Sequence, residues 1–266
     1  MKPYIKYLFY TLRLAALLNA ILYGTARFRN WRINRKYKRD NPGIVLPADY
    51  PLYETYQLHY RKFIEDGQLA AKEIVEWTKP YFLSQPGRVL DWGCGVGRVI
   101  RHMQPLLPGA GLYGCDSNAE MIRWNKAHYH HIDFTTIDHV PPMDYASLFF
   151  DLIYGLSIFT HIETTMQTEW LKELYRLLDK NGILLVTTQG KYYHHKLIPK
   201  DKKALLDTGI FTQPYSKKGH RMLSTFHTEE KFRQLAEPYF TVLDYYDGQA
   251  HSQKIGGQDL WILQKK

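Results

Sequence analysis

Asp91, Gly93, Gly95 and Gly97 stand at alternate positions in RVLDWGCGVGRVIRHM, residues 88–103. The apolar pair Val89 and Leu90 reads as a short strand that ends on an acid, followed by a turn with glycine at every second position. Glycine there lets the backbone turn tightly and lets a ligand approach where a Cβ would collide. Val99, Ile100 and Met103 then fall on the inner side of an expected helix, whose free N–H groups would point at an anionic ligand group. A dinucleotide fingerprint would need glycine at position 98, where Arg98 stands. A second acid, Asp116, closes the next apolar stretch, LYGCD. A carboxylate on that neighbouring strand tip can accept hydrogen bonds from both hydroxyls of a ribose. Its plainer role is to help Ser117 and Asn118 start the following helix.

The run D-x-G-x-G-x-G from Asp91 to Gly97 resembles motif I of the class I S-adenosylmethionine-dependent methyltransferases. FDLIYGLSIFTHI, residues 150–162, resembles the motif IV region of a bacterial group in that family, where FDLIY-x-x-S-x-FTH is typical. The resemblance covers residues 63–266. It implies an α/β, three-layer Rossmann-like fold with a seven-stranded, mostly parallel sheet and an antiparallel last strand. It also implies S-adenosylmethionine as cofactor, with Asp91, Gly93, Cys94, Gly95 and Gly97 around its methionine end and Asp116 and Ser117 at the ribose. Asp138 would lie near the adenine amine, and Ser157 beside the transferring methyl group. An acceptor that must lose a proton would find its base in His161, although a packing role for that residue stays open. Metal-dependent catechol-type enzymes carry an acid where Ser157 stands, and base-modifying N-methyltransferases carry an N/D-P-P-Y run that is absent here.

These residues need elements to position them. Residues 63–77 read as a helix with Leu69, Ala70, Ile74 and Val75 inward. Residues 166–178 read as an amphipathic helix ended by Gly182 as a left-handed cap. Strands are expected at 132–137, 183–188, 240–246 and 259–263, and Thr228 should cap a short helix. Residues 191–225 are long, basic and tyrosine-rich, with Tyr192, Tyr193, Tyr215 and Arg221; an insertion of that length reads as a lid or substrate wall. His128, His130 and His131 lack a matching carboxylate set, so no metal is expected.

The formal charge of +9 is uneven. Residues 1–39 hold ten Lys and Arg and no acid, which leaves 25 bases against 26 acids in the remaining chain. Residues 4–24 are apolar apart from Lys6 and Arg13, and seven bases follow between Arg27 and Arg39, interleaved with Phe28, Trp31 and Tyr37. A secretory signal is disfavoured by the cofactor, which is made in the cytosol, and by the lack of a clean cleavage site. A membrane span would carry two bases, each costing roughly 2.5–3.5 kcal/mol near the bilayer centre. A helix lying in an anionic membrane surface is the preferred reading; a helix packed on the body or on a second subunit is its structural alternative. Residues 40–62 read as a proline-punctuated connector. Two cysteines, Cys94 and Cys115, give no disulfide framework and suit a reducing compartment. The function expected is therefore methyl transfer to oxygen or nitrogen of a small-molecule, lipid-linked or glycan acceptor, in the cytoplasm or at the inner face of a membrane. The alternatives are a cofactor-binding protein without catalysis and an RNA-binding protein that uses the basic run; nucleic acid is the less favoured partner.

Overall fold

Stretches rich in apolar residues become the strands of one sheet. They are β1 (Arg88–Trp92), β2 (Gly111–Asp116), β3 (Ile132–Thr136), β4 (Phe150–Gly155), β5 (Leu178–Thr188), β8 (Phe240–Tyr246) and β9 (Asp259–Lys265). The computed structural model describes residues 3–213, 223–248 and 257–266. The strand order is β3-β2-β1-β4-β5-β9-β8. Every pairing is parallel except those of β9, which runs antiparallel to both β5 and β8. The expected antiparallel strand is therefore present, in an interior slot. The chain order reverses between β1 and β4, and α/β sheets bind their ligands outside the carboxyl ends of strands at such a reversal.

Alternating strand residues feed two cores. Val89, Leu112, Leu152 and Leu185 meet Ala70, Ala71 and Ile74 of α4 (Tyr60–Thr78) and Ile122 of α5 (Ala119–His128) on one face. Leu90, Trp92, Ile153 and Leu184 meet α6 (Gln167–Leu177) and α8 (Glu229–Ala236) on the other. The apolar side of α6, Trp170, Leu171, Leu174 and Leu177, is wholly buried. Its transfer from water is worth on the order of 10 kcal/mol before conformational entropy is subtracted. Asn118 caps α5 and Thr228 caps α8 through their side-chain oxygens, as their types require.

Four expectations need correction. Residues 95–107 are not an α-helix but a chain of turns around one 3₁₀ turn, Ile100–His102, closed by short-range bonds such as His102 N–H to Val99 O. The expected faces of Val99, Ile100 and Met103 are still buried, so packing survives while the helix dipole does not apply. Gly182 is not the cap of α6. The helix passes directly into the extended Leu178, and Asn181 takes the left-handed conformation at φ 61°, which asparagine tolerates. Leu69 is exposed.

The leader, the fourth correction, is two helices and not a single one. α1 (Pro3–Thr11) and α2 (Ala15–Asp40) are joined through Arg13 at φ 56°. α2 packs on the body. Its Leu22, Tyr23 and Ala26 reach a cluster that contains Val96 and Met121. Its buried Asn30 and Asn34 donate to Leu58 O at 2.8 and 3.3 Å, and Tyr60 N–H donates back to Asn34 Oδ1 at 2.9 Å. The connector holds a short helix, α3 (Asp49–Thr55).

The insertion at 191–225 is ordered around a 3₁₀ turn (Lys191–Lys196), α7 (Pro199–Thr208) and a hairpin of β6 (Ile210–Gln213) with β7 (Ser224–His227). Tyr215 and Arg221 lie outside the described residues.

Candidate active site

The glycine loop is built by backbone bonds to the neighbouring strand. Gly93 and Cys94 N–H both donate to Cys115 O, at 2.8 and 2.9 Å. Gly93, Gly95 and Gly97 all have positive φ, at 78°, 54° and 68°, the left-handed region that costs other residues roughly 1–2 kcal/mol each. Gly95 is also tight in space. A Cβ there would lie 2.5 Å from Thr55 Oγ1, at the end of α3. Thr55 Oγ1 accepts from Val96 N–H at 3.3 Å, so the connector roofs the loop.

Asp116 sits at the tip of β2, as expected. Its Oδ2 accepts from Gly95 N–H and its Oδ1 from Asn118 N–H, both at 2.8 Å. Burial raises its pKa, against the pull of those two amides. Each carboxylate oxygen keeps a further lone pair. Asp91 lies beneath the loop, 5% exposed. Burial pushes its carboxyl up to about 7; the Tyr154 hydroxyl and the Arg98 guanidinium pull the other way and Asp116 adds to the rise. Arg98 is buried, with its guanidinium 4.3 Å above the Tyr56 ring, and Tyr56 Oη donates to Asp66 Oδ2 at 2.9 Å. Gly67 of α4 approaches so closely that its Cβ would stand 2.4 Å from Arg98 O.

A cavity of about 130 Å³ opens at the carboxyl ends of β1, β2 and β4. Its polar wall is Asp116, Ser117, Asp138, His139, His161 and Glu163. Trp92, Ile137, Val140, Ile158, Met166 and Trp170 make it apolar elsewhere. Gly93 also lines it, and Ile158 lies over that glycine, whose Cβ would meet Ile158 Cδ1 at 2.0 Å.

Five of the expected residues, Gly93, Asp116, Ser117, Asp138 and His161, therefore share this cavity. Asp91, Cys94, Gly95, Gly97 and Ser157 do not line it. Cys94 is buried against Asn125 Nδ2 at 3.7 Å. Ser157, at φ 65°, donates through Oγ to Gln258 Oε1 at 3.0 Å, and its N–H donates to Thr187 Oγ1 at 2.7 Å.

The loop that carries His161 is clamped from two sides. Gln167 Nε2 of α6 donates to Phe159 O at 3.2 Å and to Ile162 O at 2.8 Å. Thr225 Oγ1 of β7 donates to Ile162 O at 2.7 Å. His161 Nδ1 lies 2.8 Å from Leu223 O. A carbonyl only accepts, so Nδ1 carries the proton and the lone pair of the neutral ring sits on Nε2. His227 Nε2 lies 3.2 Å from Gln167 Oε1, again as donor to acceptor, and burial depresses its pKa to about 3. The insertion thus braces the loop beside the cavity.

Sequence reasoning missed Thr55, Tyr56, Arg98, Ile158 and Gln167. Arg98 directly follows the glycine run, and Gln167 opens an obvious helix; only the contacts of these residues across long stretches of chain reveal their part. Among the described residues, no group of three or more His, Cys, Asp or Glu is placed to hold a metal ion. No helix among them is long and apolar enough to cross a membrane.

Comparison with known proteins bears on this geometry. A family model described as a methyltransferase domain matches residues 90–184. The tRNA N(3)-methylcytidine methyltransferase Mettl2 of Drosophila melanogaster is 26% identical over 196 residues, 67% of this chain and 57% of that protein. The chain thus spans little more than half the length of that relative. The fold is similar to S-adenosylmethionine-bound CalS10, an amino pentose methyltransferase of Micromonospora echinaspora, with a TM-score of 0.57, 13% identity and coverage of 84% and 100% of the two chains. A methyltransferase of Clostridium acetobutylicum gives 0.57, 14%, 80% and 96%. Residues 90–184 thus match a methyltransferase domain, and the chain has a Rossmann-like fold similar to that of these methyltransferases.

Proposed function

We propose that the chain transfers the methyl group of S-adenosylmethionine to an oxygen or nitrogen atom of a small-molecule, lipid-linked or glycan acceptor, met at the inner face of a membrane. One observation carries the cofactor half of this reading: Asp116 holds the glycine loop by one carboxylate oxygen and forms part of the cavity wall. The residues present fit the cofactor. The apolar lining by Trp92, Ile137, Val140 and Ile158 suits a purine, with Asp138 for its amine and Asp116 and Ser117 for the ribose. Asp91, Gly93, Cys94, Gly95 and Gly97 shape the methionine end. Asp91 and Cys94 act there from below the loop, by charge and by filling. When bound, the cofactor supplies a methyl group already activated by its sulfonium.

The protein's own part is to bind, to exclude water and to aim the acceptor, so much of the rate comes from positioning. Trp92, Met166 and Trp170 keep the cavity dry. His161, with its proton fixed on Nδ1 by Leu223 O, can take a proton from an acceptor through Nε2. Titration calorimetry with S-adenosylhomocysteine tests the cofactor half: the wild type should bind, and Asp116→Ala should lose measurable affinity while its melting temperature holds. Equal affinity in the two proteins would defeat the assignment. His161→Ala should keep cofactor affinity and lose turnover.

A second acceptor class has an observation in its favour, the likeness to a tRNA methyltransferase. Incubating cell extract with radiolabelled cofactor and partitioning the label among lipid, glycan, protein and RNA separates the two. Label confined to RNA would overturn the acceptor proposed here.

A further inference from the structure

We propose that the exposed face of α1 and α2 is a docking surface for an anionic lipid bilayer. It rests on the proposed meeting of enzyme and acceptor at a membrane, but not on methyl transfer itself. α2 buries one side against the body, through Ala15, Leu18, Asn19, Asn30 and Asn34. The side turned away carries Leu14, Leu17, Ile21 and Phe28, at spacings of three, four and seven that keep them in one stripe. Leu17 is 51% exposed and Phe28 89%. Tyr4 and Leu8 of α1, and Leu12 just after it, add further exposed apolar surface. Soluble proteins rarely leave so continuous an apolar strip uncovered.

The same stripe then changes character. Arg32, Arg35 and Arg39 follow Phe28 at steps of four, three and four, and all seven bases from Arg27 to Arg39 are exposed. Trp31, 55% exposed, stands among them with Arg35 5.9 Å from its ring. Among the described residues, Arg29, Arg32, Lys36 and Lys38 have no acidic partner. An aliphatic strip continuous with a cationic strip fits a surface that is apolar below and anionic at the rim. An RNA strand would use the bases and the two aromatic rings, yet would leave Leu8, Leu12, Leu14, Leu17 and Ile21 in water. A second copy of the chain could cover the aliphatic strip, but would bring no anionic group to the bases beyond it.

Flotation of the full chain with vesicles tests this. It should float with phosphatidylcholine vesicles containing phosphatidylglycerol and stay behind with phosphatidylcholine alone. The exposed-site variants Leu17→Glu/Ile21→Glu and Arg32→Glu/Arg35→Glu should each lower vesicle affinity at least tenfold, with unchanged melting temperature and unchanged S-adenosylhomocysteine affinity. Undiminished flotation of either variant overturns the proposal, as does failure of the wild type to float. So does a dimer that Leu17→Glu/Ile21→Glu converts to monomer, or RNA binding tighter than vesicle binding that is indifferent to Leu17→Glu/Ile21→Glu. Loss of homocysteine-adduct binding in every protein, with flotation intact, would count against the methyl-transfer reading alone.

Discussion

A carboxyl group buried under a cationic ligand's expected seat is a proton reservoir. Burial raises the pKa of Asp91 from the usual carboxylate range to about 7. A group whose folded value is raised contributes stability that is complete below its unfolded value and is lost as pH climbs through the folded one. On account of Asp91, then, the native chain weakens between about pH 4 and pH 7, by up to about 4 kcal/mol. Asp91→Asn should therefore gain on the wild type in urea midpoint across that window; parallel midpoints would show that Asp91 is already ionised when folded. A cationic amine end bound near Asp91 favours its ionised form, so cofactor binding near pH 6.5 should release protons. Calorimetry in two buffers of different ionisation enthalpy reads that release directly, and Asp91→Asn should abolish it. Gly95→Ala combines left-handed strain with a collision against Thr55. It should lose about 1–2 kcal/mol or more in chemical denaturation, and adding Thr55→Ala should recover part of the loss. The alternate glycines were legible because their positive φ restricts residue type at those positions, and Asp116 because an acid closing an apolar stretch marks a strand tip. Thr55 was not, since hydroxyl groups occur on any surface and only the fold carries it to the loop; nor was the burial of Arg98 against the Tyr56 ring, which sequence adjacency to the glycines does not reveal.

Elements were legible where periodicity was strong and illegible where several short-range structures suit one pattern. The side of α6 that was expected to be apolar is the side that is buried. The stretch after the glycine loop shows the opposite. Val99, Ile100 and Met103 are spaced for a helix face, yet turns bury the same three side chains, so the spacing could not distinguish the two. The insertion was expected to be a wall or lid, and its β7 supplies the bonds that hold the loop around His161. Gln167 ties that loop to α6. Gln167→Ala leaves the Phe159 carbonyl without that donor and removes one of two donors at Ile162, a loss of about 1–3 kcal/mol. Turnover should fall while cofactor affinity holds, because Gln167 touches the His161 loop and no glycine of motif I. If cofactor affinity fell in step with turnover, the clamp would belong to the cofactor site instead.

For the molecule as a whole, the leader cannot be treated as a detachable arm. α2 supports the connector through Asn30 and Asn34, and the connector brings Thr55 to the glycine loop. Deleting residues 1–39 should therefore lower both the melting temperature and the cofactor affinity; a truncated chain with wild-type affinity would show that α3 keeps its place unaided. Uneven charge was legible in the composition, but the break at Arg13 and the buried asparagines of α2 were not, because single polar residues on a helix read as exposed. The placement of β9 has a consequence for synthesis. β5 leaves the ribosome long before the strand that pairs with its open side, and β8 emerges with no neighbour in the sheet to join. Until Asp259–Lys265 arrive, the nascent chain presents an unpaired, apolar strand edge, the kind of surface that recruits chaperones or aggregates. Chains stalled before Asp259 should be cut far faster by protease than chains stalled well beyond Lys265, and equal protection would mean that β5 is shielded in some other way.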